Sequence, residues 1–356
     1  MKITFLIPSN RPSGGIRVTM QMANCLIERG HDVRIAYRTT PLFSSGRVRA
    51  TGKALKFLLQ GLRETCWLDF FKGPQEEFVN LGELSFEKGE IVIATGVQTI
   101  PDLIDLAADV VKIRYCHGLF STEPESVRKS WLWEGPMHTI SVSPVMVPEL
   151  ERLSGRPVLG VVPNGIYNTE YYLEERVRDG VGLIYGQHPV KGPEVAQAVV
   201  KGLAREFEDV PCYVFGTSRR VASLSPCQYT RFPSVAMARE LYNRSKVWLV
   251  TSRDEGFSLP ILEAMACGCV VVSSRHSNAA QFIQDGINGF TVPYGDVSAY
   301  LRIVRDILEN EPLRQRIVQE GFEVAQKFTW NAAADLMEEA LQRALPRGNA
   351  ARAVMA

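Results

Sequence analysis

Residues 247–274, VWLVTSRDEGFSLPILEAMACGCVVVSS, decide the fold class of this chain. They pass from an apolar, β-branched segment (247–251) through the polar glycine turn SRDEG into a helical run that opens on Pro260. A second apolar segment follows at 269–273. Near-continuous apolar strands separated by a helix belong to a parallel sheet covered on both faces. The turn therefore sits at the carboxyl end of a strand, where open α/β sheets hold their ligands. Pro260 suits a first helical turn because its missing N–H would have had no partner there. The backbone N–H groups of Phe257, Ser258 and Leu259 then lie at a positive helix end, a setting for an anion or for sugar hydroxyls. Glu255 and Glu263 flank this end, and carboxylates there suit hydrogen bonds from sugar hydroxyls beside a phosphate.

The same rhythm fills the rest of the chain. Short apolar runs at 3–7, 33–37, 91–94, 111–116 and 139–142 alternate with helical patterns, and the runs at 181–185 and 212–215 precede the opening stretch. At 356 residues the chain is long for one core, and two Rossmann-like halves account for it. The first is expected over 1–168 and the second over 169–328, the polar stretch after the Asn164-Gly165 turn serving as linker. A helix over 329–345 follows, with Thr329 as its cap, and the tail 346–356 reads as disordered. Residues 47–71 break the rhythm by mixing Arg and Lys with Leu, Phe and Trp. Two readings stay open there: a helical insertion packed on the first domain, or a basic amphipathic surface for a membrane or an apolar acceptor.

Composition excludes several classes. With 40 Lys and Arg against 39 Asp and Glu the net charge is +1, so no global field recruits nucleic acid. The seven cysteines form no CxxC pair, and Cys267 and Cys269 enter an apolar run as core residues. Reduced thiols and a cytoplasmic setting, at most at the inner face of a membrane, are the expectation. The start MKITFLIPSN reads as a first strand, too short for a signal peptide. No stretch reaches the roughly 18 apolar residues of a membrane span.

The opening stretch resembles the donor-binding signature of the retaining family-4 glycosyltransferases (glycosyl transferases group 1), in which two glutamates eight residues apart bracket this glycine turn. The resemblance implies the GT-B architecture, an α/β fold of two Rossmann-like domains with parallel sheets facing a central cleft. The first domain would bind the acceptor and the second the nucleotide sugar, with the terminal helix packing back on the first. In similar enzymes the glycine pair matching Gly14 and Gly15 approaches the diphosphate and acceptor, and Arg17 shares that loop. His117, followed by glycine at a strand's carboxyl edge, matches the histidine that orders the donor sugar. Lys191 stands where a cation neutralises the leaving diphosphate. Gln187 stands where an arginine is expected, and a neutral amide replaces a bidentate phosphate clamp. Arg219 and Arg220 are the cations that would substitute. Gln281 stands where a glutamate is more common, read as tuning of a helix end.

The implied reaction moves a sugar from a nucleotide-diphosphate-sugar donor to a hydroxyl of a glycan, a lipid-linked saccharide or a small molecule, with retention. Glu255, Lys191 and His117 would be catalytic; Gly14, Gly15, Gln187, Gly256, Phe257, Ser258, Leu259 and Glu263 would bind the donor. No DxD-type motif is present, so neither metal nor other cofactor is expected. A sugar-nucleotide epimerase of the same fold, a donor-binding protein with weak or lost catalysis and, from the bare α/β pattern, a nicotinamide dehydrogenase are the alternatives. The last lacks a GxGxxG turn with a suitably placed acid.

Overall fold

A computed structural model describes residues 1–9, 13–38, 70–118, 133, 135–276 and 278–346. The chain divides into two compact units, residues 1–163 with 330–356 and residues 164–329. The first division lies at the Asn164-Gly165 turn itself, a few residues ahead of the sequence's boundary. Most of the 47–71 segment and the tail beyond 346 lie outside the described residues.

In the first unit β1 (Lys2–Ile7), α1 (Gly14–Glu28), β2 (Asp32–Arg38), β3 (Gln75–Phe78), β4 (Ile91–Ala94), α2 (Ile100–Asp105), β5 (Val111–Cys116), β6 (His138–Ser141), α3 (Val147–Ser154) and β7 (Gly160–Val161) follow one another. The seven strands pair in the order β3-β2-β1-β4-β5-β6-β7, all in parallel. The apolar runs of the sequence form the central strands. Ile3, Phe5, Leu6, Ile35, Val92, Ile93 and Ile113 are buried, each contributing about 1.5–3 kcal/mol of transfer free energy.

The second unit contains β8 (Gly180–Ile184), α4 (Pro193–Glu206), β9 (Cys212–Gly216), β10 (Gln228–Arg231), α5 (Val235–Arg244), β11 (Ser245–Val250), α6 (Leu259–Ala266), β12 (Val270–Ser274), β13 (Phe290–Val292), α7 (Val297–Glu309) and α8 (Glu311–Ala325). Its strand order is β10-β9-β8-β11-β12-β13, again all parallel. Counted from its own first strand this is 3-2-1-4-5-6, the doubly wound order, which reverses direction between β8 and β11. Valines and leucines of β8, β11 and β12 make the core with Val199, Val200, Tyr300 and Val304 of the covering helices. Gly182 in β8 leaves room for Trp248, since a Cβ there would lie 2.1 Å from the indole ring.

The last helix, α9 (Trp330–Ala344), belongs to the first unit and packs on α1 and β7. Arg29, just past α1, donates to Asp335 at 2.6 Å, to Glu338 at 2.7 Å and to the Asn331 carbonyl at 2.8 Å. His31 Nε2 lies 2.6 Å from the second Glu338 oxygen. No helix among the described residues is long and apolar enough to cross a membrane.

Candidate active site

The reversal of strand order in the second unit puts the β8–α4 loop beside the β11–α6 loop, the position where doubly wound sheets bind ligands. Several contacts join the two loops. The Arg253 N–H donates to the Val190 carbonyl at 2.7 Å, and the Thr251 hydroxyl donates to the Lys191 carbonyl at 3.2 Å. Gly192 closes the turn at φ 60, and a Cβ there would stand 2.2 Å from the Thr251 carbonyl oxygen. Only glycine permits this approach. Lys191, the end of a single 3-10 turn (Pro189–Lys191), is thereby held against the turn that carries Glu255.

Lys191 Nζ lies 2.6 Å from Glu255 Oε1, the lysine side chain 35% and the glutamate 13% exposed. Ser252 Oγ donates to the same carboxylate oxygen at 2.7 Å. Burial alone would raise the Glu255 carboxyl. The Lys191 charge and hydrogen bond, the Ser252 hydroxyl and the field of His276 outweigh burial and hold it below its ordinary value. The two sequence-predicted residues thus form one couple, neutral overall and open on the lysine side.

Immediately after it, Ser258 occupies the N-cap of α6 in the left-handed region, φ 67 and ψ 60. Its hydroxyl is buried and has no partner. Among the described residues no backbone acceptor takes the N–H groups of Phe257, Ser258 or Leu259. Gly256 leads into this turn, and Phe257 pins it from below, its ring 4.9 Å from Phe282 and 6.1 Å from Phe328. A helix end so held, with amides free and a cation nearby, can take an anion.

Glu263 is placed differently from Glu255. It is 6% exposed and accepts a hydrogen bond from the Tyr242 hydroxyl at 2.9 Å. Tyr242 packs among Phe215, Trp248 and Tyr171, so the second carboxylate has a protein partner that the eight-residue spacing did not foretell. Gln187 is exposed, its backbone N–H donating to Ser218 Oγ at 3.0 Å. Arg219 is exposed, whereas Arg220 donates to the carbonyls of Ser225 at 2.8 Å and Cys227 at 3.2 Å. Of the two expected substitutes for the missing arginine, Arg220 is engaged in closing its own loop. Gln281 ends a 3-10 turn (Ala279–Gln281) with its side-chain oxygen buried and unpartnered.

Sequence reasoning missed the loop after β12. Ser274 Oγ donates to the Ser252 carbonyl and Asn278 Nδ2 to the Glu255 carbonyl, so this loop straddles the Glu255 turn. Small polar residues at the end of a strand beside the switch point were the available signal.

The first unit places its own candidates at the matching edge of its sheet. Ser13 caps α1, accepting the Ile16 N–H at 3.2 Å. Gly14 and Gly15 open that helix with no positive φ, and a Cβ on either would meet nothing within 4 Å. These glycines are not required by a tight turn; they leave the helix end uncovered. Arg17 follows in the first turn, half-buried. His117 directly follows β5, its ring 4.3 Å from that of Tyr115. Both its ring nitrogens are buried without a partner, and burial pushes the imidazole down to about 4.

Residues 187–324 match the model of the family described as Glycosyl transferases group 1. Over those residues the chain is similar to that family. An uncharacterized glycosyltransferase of Methanocaldococcus jannaschii is 30% identical over 188 residues, covering 51% of this chain and 52% of the relative. The phosphatidyl-myo-inositol mannosyltransferase of Mycobacterium leprae is 25% identical over 218 residues, 56% of this chain and 58% of its own length. The chain thus spans about half the length of these curated relatives. Among solved structures, Anabaena HepE in complex with UDP and glucose matches at a TM-score of 0.75 and 19% identity, over 96% of this chain and 100% of that one. Sucrose-phosphate synthase from Thermosynechococcus elongatus matches at 0.71 and 15%, over 96% and 98%. These likenesses identify the fold as GT-B, with its two Rossmann-like units. The group 1 segment contains Gln187, Lys191, Glu255, the α6 amino end and Glu263, so the geometry and the family match fall on the same residues.

Proposed function

We propose that the protein is a retaining glycosyltransferase that moves a sugar from a nucleoside-diphosphate-sugar donor to an acceptor hydroxyl. The observation that carries this reading is the Lys191–Glu255 couple at the switch point, set beside an α6 amino end whose N–H groups have no described backbone acceptor. A diphosphate leaving group develops negative charge, and fixed cations and aligned N–H groups lower the barrier by meeting it. Lys191 and the amides of Phe257, Ser258 and Leu259 do this work, while Glu255 accepts a hydrogen bond from a hydroxyl of the transferred sugar. The leaving phosphate takes the acceptor proton and the new bond forms on the face the diphosphate leaves. Positive charge from the chain itself makes a divalent metal unnecessary, and full activity in EDTA is the check. On the first unit, the open α1 end and His117 contribute to acceptor and sugar binding. Glycans, lipid-linked saccharides and small metabolites are the acceptor classes, in keeping with the inositol-lipid chemistry in the name of the mycobacterial relative.

A panel of nucleoside-diphosphate sugars screened for heat stabilisation, followed by product analysis with candidate acceptors, tests the proposal. At one hundred times Kd the stabilisation is about 2.7 kcal/mol. Anomeric retention in the product supports the reading; product without acceptor indicates an epimerase. Binding without turnover indicates a donor-binding protein, the alternative that the neutral Gln187 keeps open.

A further inference from the structure

We infer that His276 is a contact for a hydroxyl of the transferred sugar, completing with Glu255 a polar clasp that selects the donor's hexose. The inference rests on the donor site just proposed and adds a residue that neither the turn nor the helix end supplies. Its basis is the loop that straddles the Glu255 turn: Ser274 is bonded to the carbonyl of residue 252 and Asn278 to that of residue 255. His276 lies midway between these two ties in sequence, and its ring is within electrostatic reach of Glu255, Asp254 and Lys191. The loop is tight, with the His276 N–H donating to the Ser274 carbonyl at 2.9 Å and its carbonyl accepting from Ala279 at 3.1 Å.

His276 is 5% exposed, yet neither ring nitrogen has a hydrogen-bond partner. Buried polar atoms are nearly always satisfied, so two orphans on one ring call for a partner that arrives later. The charged groups that act on the ring are Glu255, Asp254 and Lys191. Burial lowers the imidazole, the two carboxylates oppose that without cancelling it, and Lys191 adds to it, so the ring is neutral near pH 7. A neutral imidazole presents one donor and one acceptor. A phosphate only accepts, and would leave the acceptor nitrogen unpaired while meeting the Glu255 charge. A hydroxyl both donates and accepts, so adjacent hydroxyls of a hexose satisfy the imidazole and the carboxylate together.

The test compares two ligands that differ by the sugar. Calorimetric titrations of the full chain with UDP-glucose, UDP-N-acetylglucosamine and GDP-mannose, each against its parent UDP or GDP, give the ratio of affinities attributable to the hexose. His276→Leu should lower that ratio about tenfold, the scale of a lost hydrogen bond in a buried site. Affinity for the parent nucleotide should stay within twofold of wild type, and the unfolding temperature should hold or rise because two orphaned atoms are gone. His276→Gln, which keeps a donor and an acceptor, should recover part of the ratio, and His276→Phe replaces the leucine variant if that one does not fold. An unchanged ratio in the apolar variant, or equal losses on sugar nucleotide and nucleotide, overturns the inference. Wild type that binds none of these ligands overturns the functional reading itself, a result separable from the first.

Discussion

Ser258→Gly should make the protein more stable, against the usual cost of introducing glycine. Ser258 has φ 67, a region that costs a residue with a Cβ about 1 kcal/mol or more relative to glycine. Its hydroxyl is buried and unpartnered, and an unsatisfied buried polar group costs about 1–3 kcal/mol. Glycine removes both penalties. Against that gain stands the greater freedom of glycine in the unfolded chain, about 0.5–1 kcal/mol. The balance is a stabilisation of about 1–3 kcal/mol. Ser258→Ala separates the two terms, because alanine drops the hydroxyl and keeps the strained φ.

Urea unfolding without ligand measures all three proteins, with the order of stability glycine, alanine, serine. In a saturating nucleoside-diphosphate sugar the order should compress or reverse, since wild type alone gives the ligand a hydroxyl in place of the orphan. A glycine variant less stable than wild type in the absence of ligand refutes the reasoning: it would mean that the hydroxyl has a partner in the free protein or that the turn is unstrained.

Three further outcomes follow from the same geometry. Lys191→Met leaves the Glu255 carboxylate 13% exposed and without its cation. Breaking such a pair, one member of which is partly solvated, should cost about 2–3 kcal/mol at pH 8. In wild type the depressed Glu255 carboxyl gives stability that is present above about pH 4.3 and lost as pH falls below it; in the variant burial raises the carboxyl, so stability grows as pH falls toward that value. Denaturation midpoints from pH 5 to 8 show the change of slope, and parallel slopes would sink the claim. His117, pushed down to about 4 against 6.5 when free, binds its proton first in the unfolded chain. Stability should therefore drop by about 2–3 kcal/mol as pH falls from 6.5 to 4, and His117→Gln should remove that part of the pH profile. Trp330, the first residue of α9, is 1% exposed, and that helix packs on α1 and β7; Trp330→Ala should cost about 3–5 kcal/mol, with faster amide exchange in α1 and unchanged exchange in α6.

The sequence revealed what its apolar runs could encode. Each central strand of both sheets coincides with such a run, because a strand buried on both faces must be apolar throughout. The edge strands β3 (QEEF) and β10 (QYTR) were not legible: they are short, polar and half-exposed, and pair only because a neighbour offers them a ladder. At the site, Glu255, Lys191 and the α6 amino end could be read from a strand followed by a glycine turn and a proline. The partners could not. Tyr242 reaches Glu263 from another helix, and Ser252, Ser274 and Asn278 acquire their roles only when β11 and β12 lie side by side. The reading of Gly14 and Gly15 also changed, since neither has a positive φ and a Cβ on either would meet nothing within 4 Å.

The Lys191–Glu255 couple also bears on which ligand the proposed site retains. A bare lysine at a helix amino end would attract any phosphate. Here the ammonium is already neutralised at 2.6 Å, so a phosphate must draw it away from a carboxylate that is mostly buried. A nucleoside diphosphate alone would do so at the cost of leaving Glu255 without its cation. A nucleotide sugar replaces that interaction with hydroxyl hydrogen bonds, so the charge on Lys191 and the acceptor capacity of Glu255 are satisfied in one event. Glu255→Gln, which frees Lys191 and removes the buried charge, should therefore bring the affinities for nucleotide sugar and nucleotide closer together, tightening the second and weakening the first. A variant in which both affinities fall by the same factor would show that the couple acts only to hold the turn.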